Sequence, residues 1–347
     1  MPLRQTDLSS NLRNWRNGND GVKLPIMMFV IDTAGLVLRL LLLLPIYRIK
    51  VNFLDSVSYA KMMNITRQLR PSLAKALMPT AMRAMSADSK LVELTMNEKT
   101  GIATVTMNRP PVNSLNLELL QGLLKAFEAL EDDRKCRGMI LTSSSPTVFS
   151  AGLDIMEMYK PKPDRVKAFW TTLQDVWLAL YGSSFPTVAA INGHSPAGGC
   201  LLSLCCEYRI MCPNYSIGLN ETKLGIVAPK WFMSSMLGAI PYREAELALT
   251  SGRMFSTDEA LKIGLIDEVA SDKADAIAKS EKFLSQFAKI HPIARKLTKL
   301  NLRHSALEWM QENKELDLNI FISFVGQPIV QKSLEKYLEG LKAKQAK

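Results

Sequence analysis

The run Asn192-Gly193-His194-Ser195-Pro196-Ala197-Gly198-Gly199-Cys200-Leu201 limits what this chain can fold into more than any other segment. It follows a short β-branched and alanine strand, Thr187–Ile191, itself preceded by Phe185-Pro186. It opens a helix whose first residues (Cys200, Leu201, Leu202, Leu204, Cys205) leave no polar face for water. A buried strand running through a glycine turn into a helix buried all round belongs in the interior of an α/β protein.

The rest of the chain agrees. Leu91–Asn97 and Ile102–Met107 alternate in polarity around Glu98–Gly101, the pattern of a β-hairpin. Asn108-Arg109-Pro110-Pro111 breaks the second strand. Leu117, Leu120, Leu123, Leu124, Phe127 and Leu130 then recur at helical spacing. Gly138–Thr142 reads as a strand and Ser143–Thr147 as a turn. Next come a helix from an Asp164 cap to Tyr181, strands Tyr208–Met211 and Ser216–Leu219, and helices from Lys230, Arg243 and Thr257. After Asp272 the pattern is helical to the end. The helical stripe Phe169, Leu173, Val176, Leu180 reads as core.

Charge and cysteine content exclude several classes. The formal charge is +10, but residues 1–85 hold twelve Lys or Arg against four Asp and so carry +8 of it. The folded part is nearly neutral, without the basic stripe of a nucleic-acid binder. Five cysteines (Cys136, Cys200, Cys205, Cys206, Cys212) lack metal-ligand spacing and read as buried free thiols of a reducing compartment. Three scattered histidines supply neither a zinc site nor a serine triad.

The leader divides in two. Lys61–Arg83 is basic, serine-containing and free of acid, the composition of a mitochondrial transit peptide, so 62–88 is assigned that role. Met62 or Met63 is then the expected physiological start, with 1–61 an alternative or mis-assigned extension. The apolar stretch 25–47 is nearly long enough to span a bilayer, about 20 residues. Asp32 and Arg39 inside it, each costing roughly 2.5–3.5 kcal/mol at a helix centre, weigh against an anchor, which stays the minor alternative. Residues 89–272 are the expected catalytic core and 273–347 a helical segment.

Three segments carry chemistry. Phe149-Ser150-Ala151-Gly152-Leu153-Asp154 and the 192–201 run are glycine turns able to offer bare backbone N–H groups, and Gly218-Leu219-Asn220-Glu221-Thr222 supplies one carboxylate. Two amide donors and a lone base are the parts needed to remove a proton from carbon beside a thioester carbonyl. The blander readings are that the glycines only permit tight packing, that Glu221 is a solvated turn carboxylate, and that Asp154 merely caps Ile155–Tyr159. His194 and the late Lys332 and Lys336 stay outside the assigned site.

With Arg109–Leu115, Ser150–Asp154, Pro196–Cys200, Ile217–Thr222, Leu224–Pro229 and Gln331–Leu334, in that order over about two hundred residues, the chain resembles the crotonase (enoyl-CoA hydratase/isomerase) superfamily. Within it the similarity is to the mitochondrial Δ3-Δ2-enoyl-CoA isomerase group. The resemblance implies an α/β, crotonase-like spiral of repeated ββα units with a C-terminal helical trimerisation segment, a homotrimer in the mitochondrial matrix, and an acyl-CoA thioester as substrate. No cofactor, metal or nucleic acid is implied, coenzyme A being part of the substrate. It assigns the amides of Leu153 and Gly198 as oxyanion donors and Glu221 as the base, with Ala151, Gly152, Asp154, Ile155 and Asn220 lining the substrate. The implied reaction moves the double bond of a 3-cis- or 3-trans-enoyl-CoA to the 2-trans position in β-oxidation. Where two-carboxylate hydratases carry a second glutamate, this chain has Leu201, which cannot hold a water. The alternatives kept are a hydratase or other CoA-thioester enzyme of this fold, and a non-catalytic binding protein. Lys230 departs from the family pattern and leaves the local pocket shape open.

Overall fold

Strands β1 (Val92–Asn97) and β2 (Ile102–Met107) pair antiparallel in the register Asn97↔Ile102. The turn closes through the amides of Thr100 and Gly101 onto the Asn97 carbonyl, and Gly101 takes a φ of +69° that its lack of a Cβ allows. The computed structural model describes residues 91–345, so the leader with its assigned extension, transit peptide and apolar stretch 25–47 lies outside the described residues. Among the described residues no helix is long and apolar enough to cross a membrane.

From β2 the chain crosses through α1 (Leu117–Asp132) to β3 (Gly138–Ser143), then through α2 (Pro163–Tyr181) to β4 (Thr187–Ile191). The two-residue strand β5 (Ser195–Pro196) and helix α3 (Gly198–Cys205) follow, then β6 (Tyr208–Met211) and β7 (Ser216–Gly218). Helices α4 (Lys230–Leu237) and α5 (Tyr242–Ser251), strand β8 (Phe255–Ser256), α6 (Thr257–Ile263) and β9 (Glu268–Val269) complete the α/β part. Three helices end the chain: α7 (Lys273–Ser285), α8 (Pro292–Val325) and α9 (Pro328–Gln345).

Six strands form the main sheet in the order β1-β2-β3-β4-β6-β9, parallel from β2 onward. Its central strands are buried on both faces, which is why Gly138–Ser143 and Thr187–Ile191 read as apolar runs rather than alternating ones. Met139, Leu141, Ala189, Ile191 and Met211 face the large core beneath α1, α2 and α3. Ile140, Val188, Ala190 and Ile210 face a second, smaller core closed by Ala276 and Leu284 of α7. A Cβ on Gly138 would lie 2.8 Å from Leu284 Cδ2, so α7 rests directly on the strand. Helix α7 thus serves the sheet, as well as opening the helical run after Asp272. A second sheet, β5-β7-β8, is small but sets the register of the site: Pro196 lies opposite Gly218, and Ile217 opposite Phe255.

One boundary differs from expectation. Helix α2 is capped at Lys162, not Asp164, because Pro163 takes the first helical position, where its missing N–H costs nothing. Asp164 instead sits in the first turn, where the helix dipole favours a negative charge.

Asp317 of α8, 6% exposed, joins three helices. Its carboxylate accepts hydrogen bonds from Trp170 Nε1 (2.8 Å) and Gln174 Nε2 (2.7 Å) of α2 and from Trp231 Nε1 (3.2 Å) of α4. The same helix is tied to the sheet by an ion cluster in which Glu207 meets Arg295 and, at 3.0 Å, Lys299. Burial pushes the Lys299 ammonium down to about 8 against the opposing pull of Glu207. Removing the Asp317 carboxylate strands three buried donors, each worth about 1–3 kcal/mol when unmet. The expected result is that Asp317→Ala lowers unfolding stability by about 3 kcal/mol or more in a urea titration. Asp317→Asn, which keeps one acceptor oxygen, should lose less than half as much.

Candidate active site

Strands β5 and β7 run parallel with Pro196 beside Gly218, so the turns that follow them leave the small sheet together. One leads through Ala197 to Gly198, the first residue of α3. The other leads through Leu219 and Asn220 to Glu221, which opens a single 3-10 turn ending at Leu224. The Ala197 N–H donates to the Gly218 carbonyl at 2.8 Å and locks the two turns to each other.

The loop between β3 and α2 meets this pair from the other side. Leu153 forms an isolated parallel bridge with Leu115, made by Leu115 N–H to Gly152 O (2.8 Å) and Asp154 N–H to Leu115 O (3.1 Å). That pattern uses the groups on either side of Leu153 and turns its own N–H away from the bridge. Its nitrogen lies against the start of α3: a Cβ built on Gly198 would lie 3.3 Å from Leu153 N, and one built on Gly152 would lie 3.1 Å from Gly198 N. Gly198, at the first position of α3, has its N–H outside the helical ladder. Neither N–H has a hydrogen-bond acceptor among the described residues. The two assigned donors are therefore brought side by side, at a helix N-terminus whose dipole favours negative charge.

Tight backbone approach accounts for the glycines as well. A Cβ on Gly199 would lie 2.5 Å from the Ser150 carbonyl, and one on Gly193 2.3 Å from Thr147 and Val148 backbone atoms. Gly152 has a φ of +87°. The packing reading and the donor reading hold at once, since the packing is what seats the donors. Ala197 pays the strain: at φ 48°, ψ −121° it occupies a region that residues with a Cβ rarely adopt. The sequence reading missed it, because the signal was hidden between Pro196 and the glycine pair.

Glu221 is 5% exposed, and neither carboxylate oxygen accepts a hydrogen bond from another described residue. Ile217 and Leu219 beside it are fully buried. Burial raises its pKa from the ordinary 4.5 to about 7, while the smaller pull of its own backbone amide opposes this. The solvated-turn reading of Glu221 does not hold. Cys200 feels the same carboxylate: its thiol is pushed up first by burial and then by the Glu221 charge, which places α3 against the base. The side-chain oxygen of Asn220 is also buried without a partner.

The remaining assigned residues divide. Ala151 is exposed at the loop edge and donates its N–H to Val112 O at 2.9 Å, and Ile155 starts a 3-10 turn packed against the core. Asp154 is engaged twice: Oδ1 accepts from Met156 N–H (3.0 Å), capping that turn, and Oδ2 pairs with Arg109 Nη2 at 2.9 Å. Its capping reading is thereby realised, and its carboxylate is taken up by protein groups. His194 faces solvent, its Nδ1 accepting from Ser216 N–H at 3.1 Å. Lys332 and Lys336 are exposed on α9, whereas Phe169, Leu173, Val176 and Leu180 are core. Lys230 lays its ammonium over the Trp309 ring, 4.6 Å from the centroid, at a cavity of about 170 Å³ shared with Trp231, Ser234, Ser305 and Ala306. The five cysteines are free thiols. Among the described residues no cluster of His, Cys, Asp or Glu could hold a metal ion.

The sequence is similar to the mouse protein named enoyl-CoA delta isomerase 1, mitochondrial, at 46% identity over 70% of this chain and 85% of the relative. It is also similar to rat methylglutaconyl-CoA hydratase, mitochondrial, at 33% identity over 58% of this chain and 66% of the relative. In structure it matches human mitochondrial delta3-delta2-enoyl-CoA isomerase with a TM-score of 0.71 and 41% identity, over 73% of this chain and 99% of that one. Residues 97–346 match the family model described as enoyl-CoA hydratase/isomerase, and the chain belongs to that family.

Proposed function

We propose that this protein is a Δ3-Δ2-enoyl-CoA isomerase of unsaturated fatty-acid oxidation with Glu221 as its single base. The observation that carries the reading is a buried, unpartnered carboxylate on the turn that leaves β7 beside the one leading to Gly198, where the Gly198 and Leu153 amides meet without acceptors. The isomerases named above support it. The thioester oxygen of the substrate takes the Leu153 and Gly198 N–H groups. Glu221 removes a proton from C2, and the C–H electron pair delocalises into a dienolate whose charge settles on that oxygen. The protonated Glu221 returns the proton to C4, leaving the double bond between C2 and C3. No electrons enter or leave the substrate. A base that must take and then give the same proton works best with its pKa near operating pH, which burial provides. Leu201, buried in α3 where a second acid would stand, offers nothing to activate water, so hydration is disfavoured.

Relatives named mitochondrial support a mitochondrial protein, and we place it in the matrix, with residues 62–88 as its targeting segment. We also propose a homotrimer. Helix α8 leaves Leu302, Leu316 and Ile320 more than half exposed at near-whole-turn spacing, an apolar surface suited to a second copy. Sedimentation should give three times the mass of one chain, and Leu302→Glu with Ile320→Glu should shift it to monomer.

Turnover of a 3-enoyl-CoA tests the chemistry. Glu221→Gln should lose at least about 10³-fold in kcat while still binding the CoA ester. Hydration of the 2-trans product should be negligible in the wild type. A protein that binds acyl-CoA without turning it over would overturn the reading. Because the base form is the active one, kcat/KM should rise with pH and level off above about 7.

Stability runs the opposite way. A carboxyl whose folded pKa exceeds its unfolded value stabilises fully below the unfolded value and loses that contribution as pH rises through the folded one. Between about pH 4.5 and 7 the wild type should therefore lose on the order of 3 kcal/mol that Glu221→Gln keeps. Thermal melts should show the variant above the wild type at pH 8, with the gap closing toward pH 5.

A further inference from the structure

We infer that Arg109 is a positioning residue for the oxyanion donor Leu153, and that it neutralises the Asp154 carboxylate beside the place where negative charge develops. The inference rests on the functional reading above. Arg109 follows β2 in a loop that closes on itself, its N–H donating to Asn113 Oδ1 (2.6 Å) and its carbonyl accepting from Asn113 N–H (2.8 Å). Asn113 is fixed in turn, its side-chain amide donating to Ser143 Oγ (2.7 Å) and Phe149 O (3.2 Å). The base of the arginine is therefore rigid.

Its guanidinium then forks across the two sides of the Leu115–Leu153 bridge. Nη1 donates to the Ser114 carbonyl at 3.0 Å, one residue before Leu115. Nη2 pairs at 2.9 Å with Asp154, one residue after Leu153. A planar fork holding two groups fixes their spacing in a way a lysine cannot. The bridge has only two backbone hydrogen bonds of its own, and the fork adds a restraint on both of its sides that helps hold Leu153 N against Gly198. Charge matters as much as geometry. Asp154 is the acidic group next in sequence to a donor that must stabilise an anion. Unpaired, it would oppose the enolate; paired, it presents a near-neutral unit. The pair is partly shielded from water, at 27% and 15% side-chain exposure, so the cancellation is not supplied by solvent alone. Glu118 and the buried Glu157 are held by Arg165 and do not compete for Arg109 as direct partners.

The test uses the full chain with Arg109→Gln, Arg109→Lys and the double variant Arg109→Gln/Asp154→Asn, each checked for a native thermal melt. With a 3-enoyl-CoA, Arg109→Gln should lose about ten- to a hundredfold in kcat with KM changed less than about threefold, the pattern of a lost transition-state interaction. Arg109→Lys should fall between it and the wild type. The double variant should recover only part of the loss, since the stranded charge is gone but the fork is not restored. A second readout is the fraction of a bound β-ketoacyl-CoA present as its ultraviolet-absorbing enolate, which should drop in Arg109→Gln and return in part in the double variant. Unchanged kcat and enolate fraction in a folded Arg109→Gln would overturn the inference; a double variant as impaired as the single one would overturn the charge role, and one restored to the wild-type level would overturn the positioning role. If the wild type enolises the β-ketoacyl ester but leaves 3-enoyl-CoA untouched, the isomerase reading fails while the enolate readout still decides the role of Arg109.

Discussion

Gly199 can approach the Ser150 carbonyl only because it lacks a Cβ, and that approach seats the whole loop from Phe149 to Leu153 against the start of α3. The contact is backbone on backbone. It is held at its edges by Ser150 Oγ, which donates to Asn113 O at 2.7 Å and accepts from Gly152 N–H at 3.2 Å, and by the Phe149 N–H on His194 O at 2.9 Å. Without it, Leu153 and Gly198 would be two unrelated amides on loops that follow different strands. With it, they form one pocket edge, and the β5–β7 pairing brings Glu221 to the same place.

The cost of this arrangement is met in three ways. The positive φ at Ala197 is a strain of the kind that persists only where the surroundings over-determine it, whereas Gly152 reaches its positive φ without a Cβ to oppose it. Here the Ala197 amide is tied to Gly218 and the α3 helix is buried on every side, so the turn has no alternative. The desolvated Glu221 is a second cost, offset by the rigid core of Trp177, Trp231 and Phe232 and by the triple hydrogen bond to Asp317. The third is polar backbone left unbonded at the two amides, tolerable because there are only two of them.

Much of this was legible in the sequence where a residue's job depends on its neighbours along the chain. The strands, the hairpin turn, the all-apolar helix after the glycine pair and the lone carboxylate after β7 are local patterns, and each stands where its spacing puts it. What stayed illegible depends on partners far away. Asp317 looks like any acid in a long polar helix, yet its acceptors' donors come from residues 170, 174 and 231. Arg109 reads as part of a strand break until Asp154 is seen beside it. Ala197 carries no mark of its positive φ, and Asp164 looked like a cap because Pro163 was not weighed as the first helical residue. The partners of the Asp154 carboxylate, Arg109 and the Met156 amide, are likewise invisible in the motif that contains it.

The donors at Leu153 and Gly198 are main-chain groups, and this has an evolutionary consequence. A backbone N–H survives almost any substitution of the side chain attached to it, so the part of the site proposed to stabilise an enolate can be inherited unchanged while the side chains around it drift. New chemistry on such a frame needs only a change in which acids or bases surround a constant anion site. Leu201 shows how narrow that route is here: with no wet face on α3, an acid gained at that position would enter the buried interior, where its ionised form is disfavoured.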